Sequence, residues 1–312
     1  MALGLGLPYM GGKRKIASKI IDEILRRHPD CEYFYDLFGG GGAISFEAMQ
    51  RPNIKQVFYN DANAGVVALI EDIRDRGVRP EYYEWVTREE FHRLKTGEDW
   101  RAGLVKTCWS FGNNQQNYLF SQENERLKRP LHNIVVHKSE AEIDEFEVMT
   151  GYRVPAEHLT VETVHERRLD VMRGVKKFAG RVESLERLQQ LEQLQRLQQL
   201  QQLQQLQQLQ QLPKLVTSAG SYADVKITTP LDKTVVYLDP PYQNTEGYQS
   251  GVDFDELKKW VAECPYTVYM SEYESDFTEV LALGHRSILH HAGSPKKVIE
   301  KLFCNKDLTH WD

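Results

Sequence analysis

The residues best equipped for chemistry are Asp239-Pro240-Pro241-Tyr242, directly after the apolar run Thr234–Leu238. That run reads as a strand. The tetrapeptide then sets an acid, a stiff bend and an aromatic ring at a strand's carboxyl end, the edge where open α/β sheets bind ligands. Each proline fixes φ and carries no N–H, which leaves nearby carbonyls to accept from a ligand. One carboxylate, one carbonyl and one ring face suit a flat ring bearing an exocyclic amino group. The two oxygens accept its hydrogens and Tyr242 stacks on it. A structural Pro-Pro turn with a surface acid would carry the same letters.

A second constellation runs from Tyr33 to Ile44, where an apolar strand pattern ends in Asp36-Leu37-Phe38 and meets four glycines, Gly39, Gly40, Gly41 and Gly42, before a helical pattern. Glycines allow a tight turn and a close backbone approach, and the helix start offers unpaired N–H groups to an anion. The spacing is not GxGxxG, which argues against a dinucleotide. About twenty residues on, the run from Val57 ends in Asp61. An acid there can accept from ribose hydroxyls or cap the helix that follows.

These residues need a sheet to hold them. Candidate strands are 33–38, 57–60, 234–238, 266–270 and 286–290, with helical patterns at 13–28, 43–51, 65–76, 255–263 and 276–281. Their alternation predicts an α/β fold, a Rossmann-like and mainly parallel sheet covered on both faces. Strand signals nearly vanish from about Pro80 to Gly220. The expected organisation is a catalytic domain formed by 1–79 and 217–312, interrupted by a mainly helical insertion at 80–216. Inside it, residues 185–212 hold ten leucines, one every third position, and 14 glutamines. Steps of three carry the leucines around an α-helix, whereas a 3₁₀-helix would align them in one stripe. Long 3₁₀ runs are rare, so the expectation is α-helix, a repeat expansion tolerated because it projects from the surface.

The net charge of −6, with 39 Lys+Arg against 45 Asp+Glu, excludes a protein coated in positive charge. Cys31, Cys108, Cys264 and Cys304 are scattered without a CxxC pair, and the histidines show no metal-ligand spacing. No metal is expected. With no signal-peptide pattern and no apolar run near the roughly 20 residues that span a bilayer, the expected compartment is the cytoplasm and no membrane partner is foreseen.

Taken in order, Tyr9-Met-Gly-Gly-Lys-Arg-Lys15, Asp36–Gly42, Asp61, Ser221-Tyr-Ala-Asp224 and Asp239–Tyr242 resemble the Dam-type (class α) DNA adenine-N6 methyltransferases. The resemblance covers about 1–75 and 217–312. It implies a Rossmann-like fold, S-adenosylmethionine as cofactor, and a target adenine flipped out of double-stranded DNA. By position, Phe38 and the four glycines would cradle the methionine part of the cofactor, with Tyr9, Gly11, Gly12, Lys13 and Asp36 at the same end. Asp61 would take the ribose, Asp224 the adenine amino group, and Asp239 with Pro240, Pro241 and Tyr242 the target base. The family keeps its variable target-recognition region where the insertion lies. It also implies a bacterial or phage-infected cell, a possible restriction endonuclease partner, and a monomer or weak dimer.

Phosphate contacts are expected from Arg167, Arg168, Arg173, Lys176 and Lys177, with Arg126, Lys128 and Arg129 beside them. In the polar run 109–118, Asn113, Asn114 and Gln115 could pair with adenine in the major groove, and its aromatics could fill the gap left by a flipped base. A solvated helix face and a polar loop are the plain alternatives. Rival functions are a cytosine-N4 methyltransferase, which in related families usually has Ser at the place of Asp239, an RNA adenine methyltransferase, and a catalytically idle DNA-binding or assembly protein. Ser271-Glu272-Tyr273 ends another strand at the edge that carries Asp239 and is expected near the pocket.

Overall fold

The computed structural model describes residues 5–180, 206–207, 214–241, 252–287 and 296–307. A seven-stranded sheet runs in the order β3-β2-β1-β4-β5-β7-β6. Its strands are β1 (Tyr33–Asp36), β2 (Gln56–Asp61), β3 (Leu215–Ala219), β4 (Thr234–Leu238), β5 (Thr267–Glu272), β6 (Thr278–Ser287) and β7 (Lys296–Cys304). The first five are mutually parallel, and β7 runs antiparallel to both β5 and β6.

Apolar residues fill β4 because it lies at the centre with both faces covered, and all five of its residues are buried. Side chains alternate between two cores. Phe34, Val235, Tyr237 and Tyr269 face the layer containing α1 (Ala17–Arg27) and α2 (Ala43–Met49), while Tyr35, Val236, Leu238 and Val268 face α9 (Phe254–Glu263). From β1 the chain winds outward through β2 to β3, and from β4 the other way to β5. The carboxyl ends of β1 and β4 therefore flank the switch point, where such sheets open a crevice.

Helix α3 (Ala64–Arg76) follows β2, and the chain then leaves the sheet until β3. Between them lie α4 (Arg88–Leu94), α5 (Trp100–Cys108), α6 (Gln122–His137), α7 (Ala141–Thr150) and α8 (Val164–Ala179). Helix α5 crosses α3 so closely that a Cβ on Gly103 would sit 2.0 Å from the Gly65 carbonyl oxygen. Only glycine permits that crossing. Except for Leu206 and Gln207, the Leu-Gln tract lies outside the described residues. Leu206 is buried in the core rather than projecting, and Gln207 Nε2 donates to the Tyr83 hydroxyl at 2.5 Å.

The structure corrects several expected elements. Residues 276–281, expected as helix, enter β6, and the strand expected at 286–290 is the end of that strand, with 288–290 outside the described residues. Strands β3 and β7 went unforeseen, and β3 begins ahead of the expected return at 217. Edge and antiparallel strands keep one face open, so their apolar signal is diluted: Val216 and Ile299 are both exposed. Helix α1 starts at Ala17 rather than Lys13: residues 14–16 form turns and Ile16, at φ −125°, caps the helix.

Candidate active site

The carboxyl ends of β1, β2 and β4 meet the N-terminal loop around a cavity of about 790 Å³, within the range of small-ligand sites. Asp36, Asp61 and Asp239 all line it.

Asp36 closes β1. The Ser45 hydroxyl donates to its Oδ2 at 2.7 Å, while Oδ1 is buried with no hydrogen-bond partner. Burial is the main cause that pushes this carboxyl up to about 7; the Ser45 bond opposes the rise, and the charges of Asp239 and Asp61 add to it. The glycine turn comes next. Here the glycines serve the protein's own packing: a Cβ on Gly39 would lie 2.0 Å from the Tyr59 ring, and one on Gly41 2.6 Å from the Leu7 carbonyl oxygen. Leu7 N donates to Gly41 O at 2.7 Å, which ties the N-terminal loop to the turn. Tyr9, Gly11, Gly12, Lys13, Phe38, Gly40 and Gly41 line the cavity; Gly39 and Gly42 do not.

Asp61 ends β2. Gly40 N donates to its Oδ2 and Asn63 N to its Oδ1, each at 2.7 Å. It thus fastens the glycine turn to β2, and each oxygen keeps a lone pair for another donor. Burial raises its pKa against the pull of those two bonds. Asn63 also donates through Nδ2 to Gln115 Oε1 at 2.7 Å and accepts from Lys106 Nζ at 3.1 Å. Gln115, expected to face DNA, is therefore turned toward the cavity wall together with Asn114.

Asp239 follows β4. Lys13 Nζ donates to its Oδ1 at 2.8 Å and lies 3.4 Å from Glu300 Oε1. Burial raises the Asp239 pKa, Lys13 lowers it and Glu300 raises it again. Lys13, expected at the cofactor, is thus placed against Asp239, the acid expected at the target base. Glu300 escaped the sequence reading. Its only signal is a charged residue within the apolar stretch of β7, where it is 3% exposed. Pro240 and Pro241 line the same cavity, while Tyr242 lies outside the described residues. Ser271 reaches the site indirectly, its hydroxyl 2.6 Å from the Tyr237 hydroxyl, and burial pushes Glu272 up to about 7.

Other expected residues fall elsewhere. Asp224 is exposed and does not line the cavity. The wall there is Ser221 and Tyr222, with Tyr222 stacked on Phe38 at 5.1 Å between ring centroids. The basic patch does not survive intact. Arg167 is 2% exposed, and its guanidinium donates to the carbonyls of Val135, Val136, Val161 and Glu162. It satisfies the open carbonyls at the end of α6, a structural duty that removes it from phosphate contact. Arg168 is also buried, as is Lys128, whose ammonium sits 4.9 Å over the Phe120 ring. Arg126, Arg129, Arg173, Lys176 and Lys177 remain exposed, with Arg173 paired to Asp170 at 2.8 Å. The loop after α5 is closed by a bridge between Ser110 and Tyr118 and holds Gly112, Asn113 and Gln115 at positive φ. Phe111 stands on it 56% exposed.

The four cysteines are buried and free. Among the described residues no helix is long and apolar enough to cross a membrane. No curated protein matches the chain. A family model, D12 class N6 adenine-specific DNA methyltransferase, matches residues 9–145, the segment that supplies the N-terminal loop, Asp36, the glycine turn and Asp61. Residues 9–145 are thus similar to the D12 class N6 adenine-specific DNA methyltransferases.

Proposed function

We propose that the cavity binds S-adenosylmethionine and that its methyl group goes to N6 of an adenine flipped out of duplex DNA at a specific sequence. The observation that carries this is the pairing, in one cavity, of the orphan oxygen of Asp36 with the carboxylate of Asp239. A buried acceptor without a donor is costly, and the ammonium of an amino-acid ligand supplies one. Asp61, with a lone pair left on each oxygen, suits ribose hydroxyls. The cofactor would supply a sulfonium methyl and leave as a neutral thioether, and the proton that N6 must give up on methylation would pass to the Asp239 carboxylate or to solvent.

The protein's task is then to present N6. Its lone pair is delocalised into the ring, and hydrogen bonds from N6–H to the Asp239 carboxylate and the Pro240 carbonyl favour a more pyramidal nitrogen. The lone pair then points along the line of transfer, and positioning with preorganised charge does most of the work. Flipping the base costs a few kcal/mol. Stacking on Tyr242, about 1–3 kcal/mol, offsets part of it. Phe111, exposed on the loop beside the cavity, suits the gap left in the stack, with Asn113 and Asn114 next to it. Arg126, Arg129, Arg173, Lys176 and Lys177 are the exposed cations suited to phosphates.

The test is incubation with tritium-methyl S-adenosylmethionine and bacterial genomic DNA free of N6-methyladenine, followed by digestion to nucleosides. Label in N6-methyldeoxyadenosine is expected. No label, or label only when RNA is supplied, would overturn the reading. Sequencing that detects modified bases on the same DNA gives the recognition site.

A further inference from the structure

Three distant segments converge on one buried ion group. Lys13 comes from the N-terminal loop, Asp239 from the end of β4 and Glu300 from β7, and the side chains of Lys13 and Glu300 are 5% and 4% exposed. Asp239 and Glu300 both lie outside the segment that the family model matches. The ammonium is 2.8 Å from Asp239 Oδ1 and 3.4 Å from Glu300 Oε1. Its bond to Oδ1 fixes the rotation of the carboxylate and leaves Oδ2 to face a substrate amino group. Glu300 sets a second carboxylate beside the ammonium, and negative charge there favours the positive charge that would grow on N6 during transfer. Without Glu300, the same ammonium would draw more strongly on Asp239 and weaken it as an acceptor.

We propose that Glu300, acting through Lys13, is a positioning residue that sets the orientation and charge of Asp239 for methyl transfer. The proposal rests on the role given to Asp239 above. Among the described residues, the charged and titratable groups facing Asp239 are Lys13, Asp36 from β1, Tyr237 from β4, Glu272 and Tyr273 from β5 and its end, and Glu300 from β7. Among these described groups Lys13 is the cation. Neutralising Glu300 therefore moves Asp239 oppositely to neutralising Lys13.

The experiment measures single-turnover transfer to unmethylated genomic DNA across pH 5.5–8.5, with saturating enzyme and labelled cofactor. It compares the wild type, Glu300→Gln and Lys13→Met, and adds equilibrium cofactor binding for each. The acid limb of the rate profile is expected to move to lower pH in Glu300→Gln and to higher pH in Lys13→Met. The plateau rate in Glu300→Gln should fall about tenfold, the worth of one charge-assisted hydrogen bond, with cofactor affinity within about threefold of wild type. Limbs that coincide, or rate losses matched by losses of cofactor affinity, would overturn the proposal. Should Lys13→Met fail to fold, Glu300→Asp decides: by keeping the charge it must return the wild-type limb, and failure to do so also overturns it. A wild type that transfers no methyl sinks the site reading itself, whereas unmoved limbs in an active enzyme sink only the role of Glu300.

Discussion

Replacing Asp36 by asparagine should stabilise the protein at neutral pH and, under the proposed function, remove a cofactor contact. The carboxyl is buried, accepts one bond from Ser45, leaves Oδ1 without a partner and is pushed up to about 7 by burial, from an ordinary value of 3.8. The folded chain thus holds a proton that the unfolded chain releases. Stability from protonated Asp36 is complete below about pH 4 and drains away as the pH rises through about 7. About three pH units at 1.36 kcal/mol each amount to about 4 kcal/mol, of which about 2–3 is lost between pH 5 and pH 8. An asparagine side chain at this position would still accept from Ser45 and has nothing to titrate. Urea unfolding at the two pH values should show the wild type losing that much more than Asp36→Asn. Other raised acids such as Glu272 are common to both proteins and cancel. Under the proposed function, adding cofactor at pH 7 should also release a proton from the wild type, measured by calorimetry in buffers of different ionisation enthalpy, and none from the variant. Parallel stability profiles for the two proteins would refute the account of Asp36 as a buried acid awaiting a cation.

Asp239→Ala should cut methyl transfer at least about a thousandfold and keep cofactor affinity within severalfold, because Lys13 retains Glu300 as a counter-charge; transfer and equilibrium binding measured together check this. Arg167→Ala should lower unfolding stability by about 2–4 kcal/mol with no change in the salt dependence of DNA binding. The double variant Lys176→Ala, Lys177→Ala should do the reverse, flattening the slope of log affinity against log salt by about one unit for each phosphate no longer neutralised. Gly103→Ala should cost about 1–3 kcal/mol in a thermal or urea melt, because the added methyl has to push α5 off the backbone of α3.

What the chain discloses about itself follows the range of the interactions involved. The positions of Asp239-Pro240-Pro241 and of the glycine turn at the cavity are legible because each is a local chain event at a strand end, where sequence neighbours are also neighbours in space. The central strands are legible for a related reason, since burial on both faces leaves uninterrupted apolar letters in β4. Glu300 is not legible: its partner is the ammonium of Lys13, supplied from the other end of the chain, and only the sheet order brings β7 alongside. The basic run on α8 misleads because charge alone does not reveal which face of a helix is covered, and Arg167 and Arg168 fall on the covered face. Asp224 shows the same limit at one remove. The motif places it near the crevice, but the short turn at Tyr222–Asp224 aims the aromatic ring inward and leaves the acid outside.

The contact of Gly65 with Gly103 bears on anyone wishing to recode the target. Because α3 and α5 touch backbone to backbone, α5 is held against α3 at that crossing and has no hinge there on which to swing. Under the proposed function, adjustment to a duplex falls to the short loop after α5, whose ends are bridged at Ser110 and Tyr118 and whose Gln115 is tethered to Asn63. Under the proposed function, that loop is the practical seam for grafting another specificity. A transplant cut through α5 would carry a foreign helix surface into a gap that accepts only hydrogen.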